Sequence, residues 1–97
     1  MLLAVFRAEI NNLDEEYFTT ARRMRELAIN EYGCREFIAC TEGNIEIALS
    51  YWDDEDQIKE WKSNTEHVSA QQRGRTKWYR SYSVQITEIL REYKTDA

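Results

Sequence analysis

The sequence predicts an α+β fold in which the elements follow the order β-α-β-β-α-β. Short segments with alternating apolar and polar residues indicate strands, and two segments with apolar residues every three or four positions indicate amphipathic helices. The 97 residues suffice for one domain with one modest core. The whole chain, residues 1–97, is therefore expected to fold as a single domain.

The first part of the chain contains a strand and a helix. Residues 2–10 combine short, β-branched and aromatic side chains without a breaker, which is typical of a strand and not of a signal peptide with a basic start. Asn12, followed three residues later by Glu15, predicts a capping box at the start of the helix. Gly33 is the predicted stop of this helix, because glycine tolerates the left-handed conformation found at helix C-termini.

A hairpin, a second helix and a last strand follow. Residues 34–41 and 45–52 are predicted strands, and a short turn containing Gly43 joins them. The acidic run at residues 53–56 is predicted to cap the second helix, where negative side chains meet the positive end of the helix dipole. This helix is expected to restart near residues 63–65 and to stop at Gly74. The last strand is predicted over residues 79–90.

This order is the ferredoxin-like split βαβ arrangement, an antiparallel four-stranded sheet with both helices on one face. The opposite face would then expose apolar side chains to water, drawn from Leu3, Val5, Ile38 and Trp52. We therefore expect a homodimer through the sheet face, a dimeric α+β barrel with a cavity between the two sheets.

Composition argues against several partners and places the chain in a reducing compartment. The net charge of −5 and the single short basic stretch at residues 73–77 disfavour nucleic-acid binding. No apolar run approaches the roughly 18 residues of a membrane span. Cys34 and Cys40 would lie about 20 Å apart in one strand, too far for a disulfide or a shared metal. Reduced thiols and a cytoplasmic location are therefore expected.

The three tryptophans and the only histidine of the chain lie between residues 52 and 78. This region and the last strand resemble the antibiotic biosynthesis monooxygenase (ABM) family of dimeric α+β barrels. The residues that carry the resemblance are Ser50, Tyr51, Trp52, Asp54, Glu55, Ile58, Trp61 to Asn64, Glu66, His67, Ala70, Gln71, Gly74, Arg75 and Tyr82 to Val84. The resemblance implies an oxygenase fold, but the superfamily includes cofactor-free quinone-forming oxygenases, haem-degrading oxygenases and isomerases.

The haem-degrading branch of the family is not expected from these residues. That branch has an asparagine in the first strand, a tryptophan on the second helix and an iron-binding histidine ten residues later. Trp61 matches the tryptophan, but the position ten residues on is Gln71, and the first strand has Phe6 and Arg7 instead of asparagine. His67, one turn before Gln71, is expected to point in another direction.

The cofactor-free branch fits better, although three residues differ. Its pattern is an asparagine four residues before the tryptophan and a tyrosine six residues after it. Gln57 and His67 occupy these two positions around Trp61, and the family arginine of the last strand aligns near Ser81. What the resemblance implies is a reaction without metal or flavin, in which the phenolate or enolate of a polycyclic or phenolic substrate donates electrons to O2.

The candidate site residues are two catalytic and four substrate-binding side chains. His67 is the predicted base and Arg7, a charge within an apolar strand, is the predicted catalytic pocket group. The predicted substrate-binding residues are Trp61, Trp52, Gln57 and Ser83.

Each of these candidates also has a structural interpretation. His67 could be solvated or bonded to backbone, Trp61 could be a core residue, and Arg7 could protect a sheet edge. Trp52 could form a cavity wall or a dimer contact.

Two functions remain open from the sequence. The first is a cofactor-independent monooxygenase of the ABM type acting on an aromatic or phenolic small molecule. The second is a non-catalytic small-molecule-binding or stress-related dimeric barrel. The retained Trp61 and His67 favour the enzyme, whereas the missing asparagine, tyrosine and arginine favour the binder.

Overall fold

A computed structural model describes residues 1–96 and confirms the predicted α+β architecture. Within these residues, four strands form an antiparallel sheet in the order β2-β3-β1-β4. The strands are β1 Leu2–Ile10, β2 Glu36–Glu42, β3 Ile45–Trp52 and β4 Tyr79–Glu88. The helices are α1 Glu15–Glu31, α2 Glu55–Ser63 and α3 Thr65–Arg73, and a π-helical turn over Gly74–Trp78 leads from α3 into β4.

The register of the two central strands determines which side chains face the helices. Ala4 pairs with Ser50 of β3, and both are buried under the helical layer. Because strand side chains alternate between faces, the even-numbered residues of β1 and β3 point toward the helices and the odd-numbered ones point away. Arg7, which pairs with Ile47 on one side and Ser83 on the other, therefore lies on the face without helices.

The N-cap of α1 is Asp14, and the predicted capping box at Asn12 is wrong. The Asp14 carboxylate accepts a hydrogen bond from the Tyr17 backbone N–H at 2.9 Å. It also accepts from the Trp78 indole at 3.2 Å and pairs with Lys77 at 2.7 Å. The backbone N–H of Asn12 donates instead to the Trp78 carbonyl. Contacts from a segment distant in sequence thus select the cap.

The end of α1 is as predicted, but the start of β2 is not. Gly33 follows the helix with a φ of 81° in the left-handed region. Cys34 and Arg35 are not part of β2, because their backbone N–H groups donate to Ala28 at the end of α1 and to Tyr51 of β3. Cys34 is buried, and both it and the exposed Cys40 are free thiols.

The second helical segment restarts as predicted but ends later. Asp54 and Gln57 form a reciprocal capping box at the start of α2, and Asn64 separates α2 from α3 and caps the latter. Gly74 does not stop the helix, since its backbone is right-handed and continues into the π-helical turn. A Cβ atom there would lie 3.1 Å from the Tyr79 ring, so the turn is closely packed against this side chain. The last strand ends at Glu88, short of the predicted residue 90.

The core lies between the sheet and the helices and is centred on Trp52 and Ile58, which are fully buried. The indole N–H of Trp52 donates to the Ser50 hydroxyl at 2.8 Å, and its ring lies 5.5 Å from that of Trp61. The expectation that Trp52 belongs to the bare sheet face is therefore wrong, because it is in phase with the inward-facing Ser50. No helix within residues 1–96 is both long and apolar enough to cross a membrane.

Candidate functional site

A cavity of about 360 Å³ lies inside the single chain, between the helical layer and the sheet. This volume falls within the roughly 300–1,000 Å³ of typical small-molecule sites. Its position differs from the cavity between two sheets that the sequence suggested. Its wall is mostly apolar and includes seven aromatic side chains, those of Phe6, Tyr17, Phe18, Phe37, Trp61, Trp78 and Tyr79.

His67 and Trp61 form one polar part of the pocket wall. The imidazole of His67, on α3, meets the Trp61 ring edge-on with centroids 4.2 Å apart. Trp61 is held in place because its indole N–H donates to the Met24 carbonyl at 3.1 Å. The Nδ1 atom of His67 is buried and, among the described residues, has no hydrogen-bond partner. His67 is thus neither a solvated surface residue nor tied to backbone through Nδ1.

The environment of His67 keeps its imidazole neutral. Burial, together with the positive charge of Lys62, lowers the pKa of His67 to about 4. A neutral imidazole has one N–H donor and one acceptor nitrogen. The group can therefore orient a hydroxyl or a carbonyl oxygen of a bound molecule.

Glu46 forms a second polar part of the wall that sequence reasoning missed. Its carboxylate, on β3, is buried and accepts hydrogen bonds from the hydroxyl groups of Tyr17 and Tyr79, the latter at 2.8 Å. Burial raises the pKa of Glu46, and the hydrogen bond from Tyr79 opposes this shift. Burial, and then the neighbouring Glu46 charge, also raises the pKa of Tyr79. A usable signal was present, since Glu46 is in phase with Ser50 and Trp52 on the inward face of β3.

Basic side chains from two helices also line the pocket. They are Arg22 and Arg25 of α1 and Lys62 of α2. Arg25 additionally stacks over the Phe37 ring at 5.3 Å. Positive charge at the pocket edge favours a ligand that carries or develops negative charge. Within residues 1–96, no group of three or more His, Cys, Asp or Glu side chains is placed to hold a metal ion.

The structure brings together only part of the predicted site. Trp61 and His67 line the pocket, as does Gln71, which shares a helix face with His67 because residues four apart lie on the same side. The expectation that these two side chains point in different directions is wrong.

Four of the predicted site residues are not at this pocket. Arg7 is exposed and pairs with Ser83, and both lie on the opposite face of the sheet. Trp52 is packed in the core below the pocket, and Gln57 uses its side chain in the α2 capping box. A sequence pattern indicates which elements carry these residues but not which sheet face or cap bond each one takes.

Comparisons with known proteins identify a relative and a fold. The uncharacterized protein YqjZ of Bacillus subtilis is 35% identical over 89 residues, which cover 91% of this chain and 78% of YqjZ. No family model matches the chain.

Among solved structures, SnoaB, a cofactor-independent oxygenase from Streptomyces nogalater, has a TM-score of 0.78 at 13% identity over 94% of both chains. A crystal structure of an antibiotic biosynthesis monooxygenase has a TM-score of 0.75 at 11% identity and covers 94% of this chain and 100% of the other. At these identities the likeness shows the fold alone. The chain therefore belongs to the same family as YqjZ and has the fold of the antibiotic biosynthesis monooxygenases.

Proposed function

We propose that the chain is a cofactor-independent monooxygenase that oxidises an aromatic, phenolic small molecule. The observation that carries this proposal is the largely apolar pocket, rich in aromatic rings, with His67 and Glu46 in its wall. An apolar cleft with a few convergent polar groups is the usual form of a small-molecule site. The shared fold with SnoaB, itself a cofactor-independent oxygenase, supports the reaction class.

The proposed chemistry uses the electrons of the substrate itself. In an anthrone-type substrate, the enolate reacts with O2 at the ring carbon that carries two hydrogens. One oxygen atom becomes the new carbonyl oxygen, and the other leaves as water with the two hydrogens. The carbon is oxidised by four electrons and O2 is reduced by four, so the reaction balances without another reductant.

The residues of the pocket have distinct proposed roles in this reaction. The Trp61 ring flanks the planar substrate and positions it. Neutral His67 bonds to a substrate oxygen rather than serving as the main base, because a group with a pKa of about 4 binds a proton weakly at neutral pH. Arg22, Arg25 and Lys62 favour the anionic form of the substrate.

Oxygen consumption with 1,8-dihydroxyanthrone and with hydroquinone tests the proposed function. The wild type is expected to consume O2 with at least one of them, and His67→Ala is expected to lower kcat/KM by about tenfold or more, through loss of one hydrogen bond to substrate. Val68→Ala is the matched control on the same helix, because this side chain is 40% exposed. Its rate should equal that of the wild type.

Two other outcomes would change the assignment. If Arg7→Ala lowers kcat/KM as much as His67→Ala does, Arg7 belongs to the functional site after all. Tight binding of 1,8-dihydroxyanthrone without oxygen consumption from any substrate would support the non-catalytic small-molecule-binding protein instead.

A second copy of the chain is the proposed cover of the bare sheet face. Ile38 and Ile47 on this face are 48% and 36% exposed, and Leu49, which pairs with Ile38, and Val5, which pairs with Leu49, are half-buried. Such an apolar patch across three neighbouring strands is costly in water and is typical of an interface. The proposed partner is therefore an identical chain packed sheet against sheet.

Sedimentation velocity measures this assembly directly. The wild type is expected to sediment as a dimer at micromolar concentration, and Ile47→Lys as a monomer, because a charge at the centre of an apolar interface is not compensated. Ile29→Lys is the control, since Ile29 is 44% exposed on α1, away from the sheet face. A monomeric wild type, or a dimeric Ile47→Lys variant, would contradict the interface.

A further inference from the structure

Glu46 is a buried carboxylate in the wall of a cavity, which is an uncommon place for an acidic side chain. It is 8% exposed and pairs in register with Ala8 of β1 on one side and with Thr41 of β2 on the other, so neither paired residue gives it an opposite charge. Buried charges in proteins are usually paired with an opposite charge. Among residues 1–96, the ion pairs involve other side chains, and Glu46 is in none of them.

Two tyrosine hydroxyl groups hold the carboxylate in one orientation. Tyr17 of α1 donates to Oε1, and Tyr79 of β4 donates to Oε2 at 2.8 Å. A carboxylate has about four acceptor positions, so each oxygen keeps one free position after these bonds. Tyr17, Tyr79 and Glu46 all line the cavity. The free positions are therefore available to a donor group on a molecule inside the cavity.

We propose that Glu46 is the proton acceptor of this site, with Tyr17 and Tyr79 as positioning residues. In this step the acidic O–H or C–H bond of a phenolic or anthrone-type substrate breaks, and its electron pair stays on the substrate. The proton forms a new O–H bond on Glu46 and leaves later with the oxygen atom that becomes water. This assignment rests on the proposed oxygenase function and names the group that creates the reactive anion.

The ionisable groups around the pocket favour Glu46 over His67 in this role. A general base is most effective when its pKa lies near the working pH. Burial raises the pKa of Glu46, which brings it closer to neutral pH. Burial lowers the pKa of His67 to about 4, which takes it further from neutral pH.

The groups that face Glu46 are the two tyrosines, from α1 and β4. The remaining ionisable groups of the cavity wall are Arg22 and Arg25 of α1, Lys62 of α2 and His67 of α3. None of these four is hydrogen-bonded to Glu46 in the described part of the chain.

Anaerobic titration with 1,8-dihydroxyanthrone separates proton removal from oxidation. Without O2, the wild type is expected to convert the bound probe to its anion at pH 7, seen as a red-shifted absorption band. Glu46→Gln keeps the size of the side chain and its bond to a tyrosine hydroxyl, so it should bind the probe but leave it neutral. In air, the same variant is expected to lose about 10²- to 10⁴-fold in kcat, the usual contribution of a general base.

Tyr79→Phe provides a readout that a purely structural role would not produce. Losing one donor to the carboxylate raises the proton affinity of Glu46, so the acid limb of the pH–rate profile should move to higher pH. Tyr82→Phe is the matched control, because its hydroxyl accepts from Arg75 and does not contact Glu46. Its profile should coincide with that of the wild type, and thermal melting checks that each variant is folded.

The outcomes distinguish this assignment from the proposed function. Anion formation that depends on Glu46, without oxygen consumption in air, supports the proton acceptor and overturns the oxygenase. If Glu46→Gln consumes oxygen at the wild-type rate, or forms as much probe anion as the wild type, Glu46 is not the proton acceptor. The oxygenase function itself is then not contradicted. A wild type that does not bind the probe overturns the assignment of Glu46 to phenolic and anthrone-type substrates.

Discussion

Trp52→Ala is expected to lower the free energy of unfolding by about 3–5 kcal/mol, the range measured for large-to-small changes in protein cores. Trp52 is fully buried, and its ring packs 5.5 Å from that of Trp61. The change also leaves the Ser50 hydroxyl, which is buried in the pocket wall, without its indole donor. Because a domain of this size is stable by only about 5–15 kcal/mol, this loss is a large part of its stability. Urea denaturation measures the difference.

Two comparison variants make this prediction specific. Tyr93→Ala removes an aromatic ring that is 85% exposed and is expected to change stability by no more than about 0.5 kcal/mol. Trp52→Phe retains most of the apolar volume but not the N–H group. Its loss in the free energy of unfolding should therefore lie between those of Trp52→Ala and Tyr93→Ala. A Trp52→Ala loss as small as that of Tyr93→Ala would mean that this tryptophan is not at the centre of the core.

Acidification is expected to destabilise the wild type through His67 by up to about 3 kcal/mol. The folded protein holds this imidazole neutral with a pKa of about 4, whereas the ordinary value is 6.5. Between these two values the unfolded chain binds more protons than the folded one. The contribution of His67 is therefore fully present above pH 6.5 and is lost as the pH falls from 6.5 toward 4.

The chain has a single histidine, which makes the measurement unambiguous. An NMR titration of the imidazole should show no midpoint between pH 7 and 5. His67→Gln cannot titrate, and its stability should fall less than that of the wild type over the same range. Glu46 acts in the opposite sense, since its raised pKa means that stability is lost as the pH rises above 4.5. Because the wild type and His67→Gln both contain Glu46, its effect cancels in the comparison of their stabilities. A histidine midpoint near 6.5 would show that the side chain is solvated.

The two polar groups of the pocket suit different tasks. His67 is neutral and partly unpartnered, so it can bond to a substrate oxygen without gaining charge. The Glu46 carboxyl group has a pKa raised by burial and is fixed by two tyrosine hydroxyl groups. The low polarity of the aromatic side chains in the wall strengthens the electrostatic interactions of both groups with a bound molecule.

Local signals in the sequence were sufficient for most of the fold. The bounds of β1 and β3 follow from strand-forming residues flanked by turn residues. The end of α1 follows from Gly33, whose positive φ suits glycine, and the break at Asn64 follows from its capping side chain. The spacing of Trp61 and His67 placed both on the helical segment that lines the pocket. Each of these features depends on residues within a few positions of one another.

Distant contacts decided the remaining features. Asp14 replaced Asn12 as the cap of α1 because Lys77 and Trp78 bind it from the far end of the chain. Arg7 lies away from the pocket and Glu46 lies in it because strand pairing sets which face each residue takes, and a shift of one position exchanges the faces. The order of elements and the family resemblance therefore indicated a pocket-bearing fold, whereas only the packing of α1 over the sheet and the pairing of β4 with β1 placed a carboxylate of β3 between two tyrosines.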